Sequence, residues 1–233
     1  MSDVRSRLHQ VRERIVAAAS AAGRDPGAVQ LLVATKTQPP QRIREVLQAG
    51  VPLIGENRVQ ELTAKADELG DLPHEAHLIG PLQGNKVAAA LRHASCIQTV
   101  DRQDLAERIA RRCADRPSPF EVFVQVNVSE EASKSGVAPD RAVELAVAVA
   151  ALPELRLRGF MTVGLFSDDE RAVRGGFARL RGIRDAVHDV GAPGTGTAVE
   201  LSMGMTGDLE WAIAEGSTMV RVGAAVFGPR GGG

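Results

Sequence analysis

The feature that most restricts the fold is an alternation that recurs along the chain. Short apolar runs rich in branched side chains are separated by segments of helical period, eight times within 233 residues. The runs are Val29–Ala34, Val51–Ile54, Ala76–Ile79, Ile97–Val100, Glu121–Val128, Leu155–Met161, Val199–Leu201 and Met219–Val222. They are too short for helices and mostly apolar without alternation, the pattern of strands covered on both faces. The segments between them carry helix signals. Pro39 and Pro40 suit the first turn of a helix that buries Ile43, Val46 and Leu47 and ends at Gly50. Helices follow over Asn57–Leu69, Asn85–His93, Pro139 to about Ala151 and near Asp169–Val190, with Asp101 and Thr206 as caps of two more, the second ended by Gly216. Eight βα units in a chain of this length predict an α/β fold, a (β/α)8 TIM barrel over residues 1–230, in preference to an open doubly wound sheet. Val4, Leu8, Val11 and Ile15 form a helical stripe in residues 3–22. They predict an extra N-terminal helix covering the side left open by the short last unit. Gly231–Gly233 reads as a disordered tail.

Charge and residue usage then narrow the chemistry. A formal charge of −1 gives no general pull toward nucleic acid or an anionic membrane. No apolar stretch reaches membrane-spanning length and the first residues are polar, so a cytoplasmic location is the expectation. Cys96 and Cys113 are too few for a disulfide framework or a four-cysteine metal site and read as buried packing residues. The chain has no tyrosine, and its lysines are Lys36, Lys65, Lys86 and Lys134 against an arginine majority. Arginine does not deprotonate near neutrality, so chemistry that needs an amine must use one of these lysines or the N-terminus.

In a (β/α)8 barrel the chemistry gathers where strands run into βα loops. Lys36 lies two residues past the first strand, and Glu56 and Asn57 end the second. Gly80 and Lys86 follow the third strand, and Lys134 follows the fifth. Ser202, Met203 and Gly204 follow the seventh, and Arg221, Gly223 and Ala224 the eighth. A lysine inside a barrel mouth is partly desolvated, which favours the neutral, nucleophilic amine. The spacing leaves a second reading open, a structural Lys36 paired with Glu56. Ser202, Gly204 and Gly223 suit a phosphate cradle, because the loops after strands seven and eight often form one in this fold. Mid-helix Lys65 reads as solvated, His77 as a packed strand residue, and Trp211 and Phe177 as core. Glu107–Arg111 and Asp104–Arg108 have the spacing of exposed helix pairs.

Taken in order, KTQP, GENRVQE, HLIGPLQGNK, SKSG, LSMGM and STMVRVGAAVFG span nearly the whole chain. Together they resemble the pyridoxal phosphate homeostasis proteins, relatives of the barrel domain of alanine racemase. The resemblance implies that Lys36 carries pyridoxal 5′-phosphate (PLP) as an internal aldimine. It implies that Ser202, Met203 and Gly204, with Gly223 and Ala224, hold the phosphate, and that Arg221 faces the pyridine nitrogen. Asn57 and His77 would line the ring pocket. A guanidinium at that nitrogen disfavours the pyridinium and makes the ring a poorer electron sink. The chain departs from the family pattern at Thr206, where many members have serine, and at Ala224, often a hydroxyl residue.

Racemisation needs two bases on opposite faces of the cofactor. In the racemase relatives the second is a tyrosine, and this chain has none. The implied role is therefore to bind, buffer and deliver PLP in vitamin B6 homeostasis, with little or no turnover. PLP-dependent apoenzymes are the implied recipients, although no segment marks a docking patch. The alternative is a Schiff-base enzyme, of lyase, aldolase or racemase type, with Lys134 or His77 as its second base.

Overall fold

The computed structural model describes residues 3–131 and 133–228. Eight parallel strands close into a barrel in sequence order, each pairing with the next and the last with the first. They are β1 Gln30–Ala34, β2 Leu53–Glu56, β3 Glu75–Leu78, β4 Cys96–Val100, β5 Phe120–Gln125, β6 Leu155–Met161, β7 Glu200–Ser202 and β8 Met219–Val222. Closure is fixed by the register Leu32↔Arg221 and Val33↔Val222 between β1 and β8. The helices are α1 Asp3–Ala21, α2 Pro40–Gln48, α3 Val59–Leu69, α4 Val87–His93 and α5 Gln103–Cys113. They continue as α6 Ala142–Ala150, α7 Glu170–Val190, α8 Leu209–Ala214 and α9 Ala224–Phe227. The tail at Gly231–Gly233 lies outside the described residues.

Two hydrophobic layers and a filled interior build this shape. Strand faces that point outward, such as Val122, Val124 and Leu157, pack with Leu105, Ile109, Phe177 and Leu180 of the helices. The predicted N-terminal helix is α1: its stripe of Val4, Leu8, Val11 and Ile15 packs on Leu209, Ile213, Val226 and Phe227. It thus covers the side where α9 has a single turn. Side chains of this size each contribute about 1.5–3 kcal/mol when fully buried. Inside the barrel, Leu32, Cys96, Phe123, Met161 and Met219 form a separate apolar cluster. Because residues i and i+2 share a strand face, the same interior face next carries Gln98, Gln125 and Arg221. The interior therefore turns polar toward the carboxyl ends.

Several local expectations hold. Pro40 opens α2, and Gly50 and Gly216 follow their helices with φ of 77° and 99°, the left-handed conformation that suits glycine. Asp169 caps α7, its carboxylate accepting from the N–H groups of Arg171 and Ala172. Both cysteines are free and buried. Other expectations are corrected. Asp101 does not cap α5; its carboxylate accepts from Arg102 at 2.7 Å. Thr206 does not cap α8, which begins after Asp208. Asp104 pairs with Arg102 rather than with Arg108. β5 stops at Gln125, short of the expected Val128, and Trp211 is only partly buried against the core.

Candidate functional site

A cavity of about 380 Å3 opens at the carboxyl ends of the strands. Ala34 at the end of β1 and Lys36 in the loop after it border it, with Met205, Thr206 and Gly207 from the seventh βα loop, and Arg221, Gly223 and Ala224 from β8 and the start of α9. Phe166, from the loop after β6, stands at its rim with 98% of its surface exposed. A larger cavity, about 750 Å3, lies at the opposite end, against Glu75, Glu121, Arg158 and Glu200. There Arg158 bridges Glu121 and Glu200 at 2.6 Å each. The amino-terminal face of such barrels bears on stability, so the smaller cavity is the candidate site.

Lys36 is exposed in the turn after β1, so the expected desolvation of its amine is not met. It makes no ion pair or hydrogen bond among the described residues. The expected structural alternative, a pair with Glu56, is absent because another lysine occupies that acid. Lys65 Nζ lies 2.7 Å from Glu56 Oε1 and 3.1 Å from Glu61 Oε2, and donates to Thr35 O at 3.0 Å. Lys65 is therefore not solvated as its mid-helix place suggested; only 11% of its side chain is exposed. Burial pushes the Glu56 carboxyl above the usual range, against the opposing hydrogen bonds from Lys65 and Thr35.

Arg221 is buried on the cavity floor. It donates to Ser202 O at 2.6 Å, Ser202 Oγ at 2.9 Å and Thr162 O at 2.6 Å. No carboxylate pairs with it among the described residues. Burial lowers its pKa to about 10, so it remains a cation at neutral pH. Its hydrogen bonds impose a direction on the barrel interior. A guanidinium can only donate, so Ser202 Oγ accepts from Arg221 and donates to Gln98 Oε1 at 2.7 Å. Gln98 then presents its NH2 to His77 Nδ1 at 2.8 Å. The assignment puts the His77 proton on Nε2, which is 3.8 Å from Glu75 Oε2.

The nine residues expected at the site therefore divide. Lys36, Arg221, Gly223 and Ala224 meet around the cavity. Ser202, Met203 and Gly204 are buried beneath it, and Ser202 Oγ is engaged by Arg221 and Gln98. His77 lies in the barrel interior, and Asn57 packs its backbone on Gly80, where a Cβ would come within 2.1 Å of Asn57 O. Met205, Gly207 and Phe166 were not anticipated. An apolar Phe166 in the polar loop GLFSDD on the mouth side was the available signal.

The loop that carries Met205–Gly207 is held from two sides. The Asp208 carboxylate accepts from the Met205 N–H. Arg14 of α1 donates to Thr206 O at 2.9 Å while pairing with Glu210.

Residues 7–231 match the family described as alanine racemase, N-terminal domain. A pyridoxal phosphate homeostasis protein of Pseudomonas aeruginosa is 45% identical over 230 residues, covering 99% of this chain and 97% of that protein. The chain belongs to the pyridoxal phosphate homeostasis protein family. The Escherichia coli member is 43% identical over 234 residues, covering 99% of this chain and 98% of its own. Among solved structures, an unknown protein from Bifidobacterium adolescentis superposes with a TM-score of 0.91 at 44% identity, covering 97% of this chain and 94% of that one. PipY of Synechococcus elongatus, solved with PLP bound, gives 0.81 at 33% identity and covers 94% of this chain and all of PipY. The family's barrel is also that of the alanine racemase of Corynebacterium glutamicum, with a TM-score of 0.66 at 15% identity, a likeness of fold alone.

Proposed function

We propose that the protein binds PLP in the mouth cavity, holds it covalently through Lys36, and serves its intracellular homeostasis as a carrier with little or no turnover. One observation carries the reading. An amine and a buried guanidinium, neither with an acid partner among the described residues, border the same cavity. Its volume lies in the small-ligand range of roughly 300–1,000 Å3. The names of the relatives and the PLP-bound PipY structure support the same ligand.

When bound, PLP supplies an aldehyde that condenses with a neutral amine, with loss of water. Lys36 Nζ provides that amine at the rim, where a ligand filling the cavity would cover it. Arg221 on the floor would offer N–H groups to the ring nitrogen and, as a cation, would disfavour a proton there. The Thr206 hydroxyl and the N–H groups of Gly207, Gly223 and Ala224 would be the donors for the phosphate. The first N–H groups of a helix lack intrahelical partners, which leaves those at the start of α9 free for this purpose. Ser202, Met203 and Gly204 act beneath, supporting Arg221 and the loop.

The carrier reading is favoured over a Schiff-base enzyme by two side chains. His77 is enclosed in the barrel and hydrogen-bonded to Gln98. Lys134 binds Glu131 at 2.7 Å and Gly164 O at 3.0 Å. Neither borders the cavity. The deciding experiment is borohydride reduction of PLP-loaded protein followed by peptide mass spectrometry. Modification of the Lys36 peptide is expected, and modification of another lysine overturns the assignment.

A further inference from the structure

Lys36 sits between two residues held by one buried ionic cluster. On one side, Thr35 Oγ1 donates to Glu56 Oε1 at 2.6 Å, and Thr35 O accepts from Lys65 Nζ at 3.0 Å. On the other, the Thr37 N–H donates to Glu61 Oε2 at 2.7 Å. Thr37 has φ of 62°, a left-handed conformation that a residue with a branched side chain rarely adopts. Lys65 joins the two halves, because it bonds both Glu56 and Glu61. The segment GENRVQELTAK supplies all three charged groups: Glu56 ends β2, and Glu61 and Lys65 lie one turn apart on α3.

We propose that Lys65 is a positioning residue for Lys36: with Glu56 and Glu61 it pins the turn that presents the amine, and it keeps those two carboxylates from pairing with that amine. The inference rests on attachment at Lys36 and adds the means by which the amine stays available. A carboxylate brought within about 4–6 Å of an amine favours its charged form and raises its pKa by about one to three units, which cuts the fraction able to react as a nucleophile. The charged groups that bear on this cluster and the cavity beside it include Glu56 of β2, Glu61 and Lys65 of α3, Arg58 just before α3, whose charge acts on Glu61, Arg42 of α2, Arg221 of β8 and Asp208 before α8. Arg42 lies over the Phe227 ring and touches Gln38, and Asp208 is engaged by the Met205 N–H. Glu56 and Glu61 are therefore the acids that loss of Lys65 would release.

The test reads Lys36 without cofactor. Trace acetylation of the full chain across pH, quantified on the Lys36 peptide by mass spectrometry, gives the amine's titration midpoint. Lys65→Met is expected to raise that midpoint by at least one unit, with about a tenfold fall in the rate of PLP capture at pH 7. Glu61→Gln, which removes one carboxylate and keeps an oxygen for the Thr37 N–H, is expected to lower it. Shifts of opposite sign are what a charge role requires; loosening of the turn alone would move both variants the same way. A folded Lys65→Met protein with the parental midpoint overturns the proposal. Should Lys65→Met not fold, Glu61→Gln decides: a midpoint unchanged or raised overturns it. If both shifts occur but borohydride places the cofactor on a different lysine, the attachment reading fails and the electrostatic one stands.

Discussion

Ser202→Ala tests whether the buried serine serves the guanidinium or the phosphate. In the structure its hydroxyl accepts from Arg221 at 2.9 Å and donates to Gln98 Oε1 at 2.7 Å, and it is fully buried. Removing it deletes one of the three acceptors that solvate an otherwise unpaired buried cation. A hydrogen bond to a charged group contributes about 1.5–3 kcal/mol, and a buried acceptor left bare costs about 1–3 kcal/mol. Gln98 Oε1 becomes such an acceptor. The expected loss is about 3 kcal/mol, read as a lower urea midpoint with an unchanged slope. A second readout separates the two roles. Because Ser202 acts through Arg221 on the ring side, the variant should weaken PLP and its dephosphorylated form, pyridoxal, by similar factors. A stability loss below about 1 kcal/mol would refute the supporting role. So would a binding defect confined to the phosphorylated ligand, which would return Ser202 to the phosphate cradle.

Thr206→Val should weaken PLP about tenfold and leave pyridoxal unaffected in equilibrium titrations, the scale of one lost hydrogen bond to a charged group; equal losses for both would move the phosphate elsewhere. Lys36→Ala should lose the visible band of bound cofactor yet unfold cooperatively in urea, because an exposed turn residue adds little to the core. Gly204→Ala should destabilise by about 3 kcal/mol in thermal melts, because left-handed strain and overpacking add. Its φ is 94° and a new Cβ would come within 2.5 Å of Ala212 Cβ, so Ala212→Gly should restore part of the loss. Acid should expose a carboxylate cluster at α8. Burial alone would raise Glu215, but bonds from Arg174 and Arg181 outweigh it and hold its carboxyl below the ordinary value of 4.5. A depressed folded pKa gives stability that is present above the unfolded value and lost as pH falls through the folded one. The urea midpoint should therefore drop as pH falls below about 4.5, and Glu215→Gln should flatten that limb.

The barrel was legible because its physics is periodic. Strands covered on both faces read as apolar runs, and Pro40, Gly50, Asp169 and Gly216 mark helix ends through local backbone geometry that tertiary structure did not override. Caps at Asp101 and Thr206 failed because a suitable side chain can find a better partner nearby. Asp101 has Arg102 beside it, and two further residues of loop precede α8. At the site, motif order located the mouth but not its depth. Ser202 ends β7 and Thr206 lies four residues on in the loop that follows, and either hydroxyl could have faced a ligand. The closure of β7 on β8 turns Ser202 inward to Arg221 and leaves Thr206 at the cavity.

The pairing of the lysines was least legible of all, because it depends on how a carboxylate is allotted. Glu56 is buried, and a buried charge left unpaired is costly, so it must take a cation. Sequence spacing offered Lys36, just past β1, as its partner, and Lys65, nine residues on from Glu56, read as solvated. The helical i,i+4 step from Glu61 to Lys65 is visible in the chain, but it looks like an ordinary surface pair. Only the packing of α3 against β2 turns that step inward and brings Lys65 onto Glu56. Once Lys65 has the acid, Lys36 is left exposed at the cavity with no counter-charge among the described residues. The same packing that stabilises Glu56 thereby decides which of the two amines is left without an acid partner among the described residues.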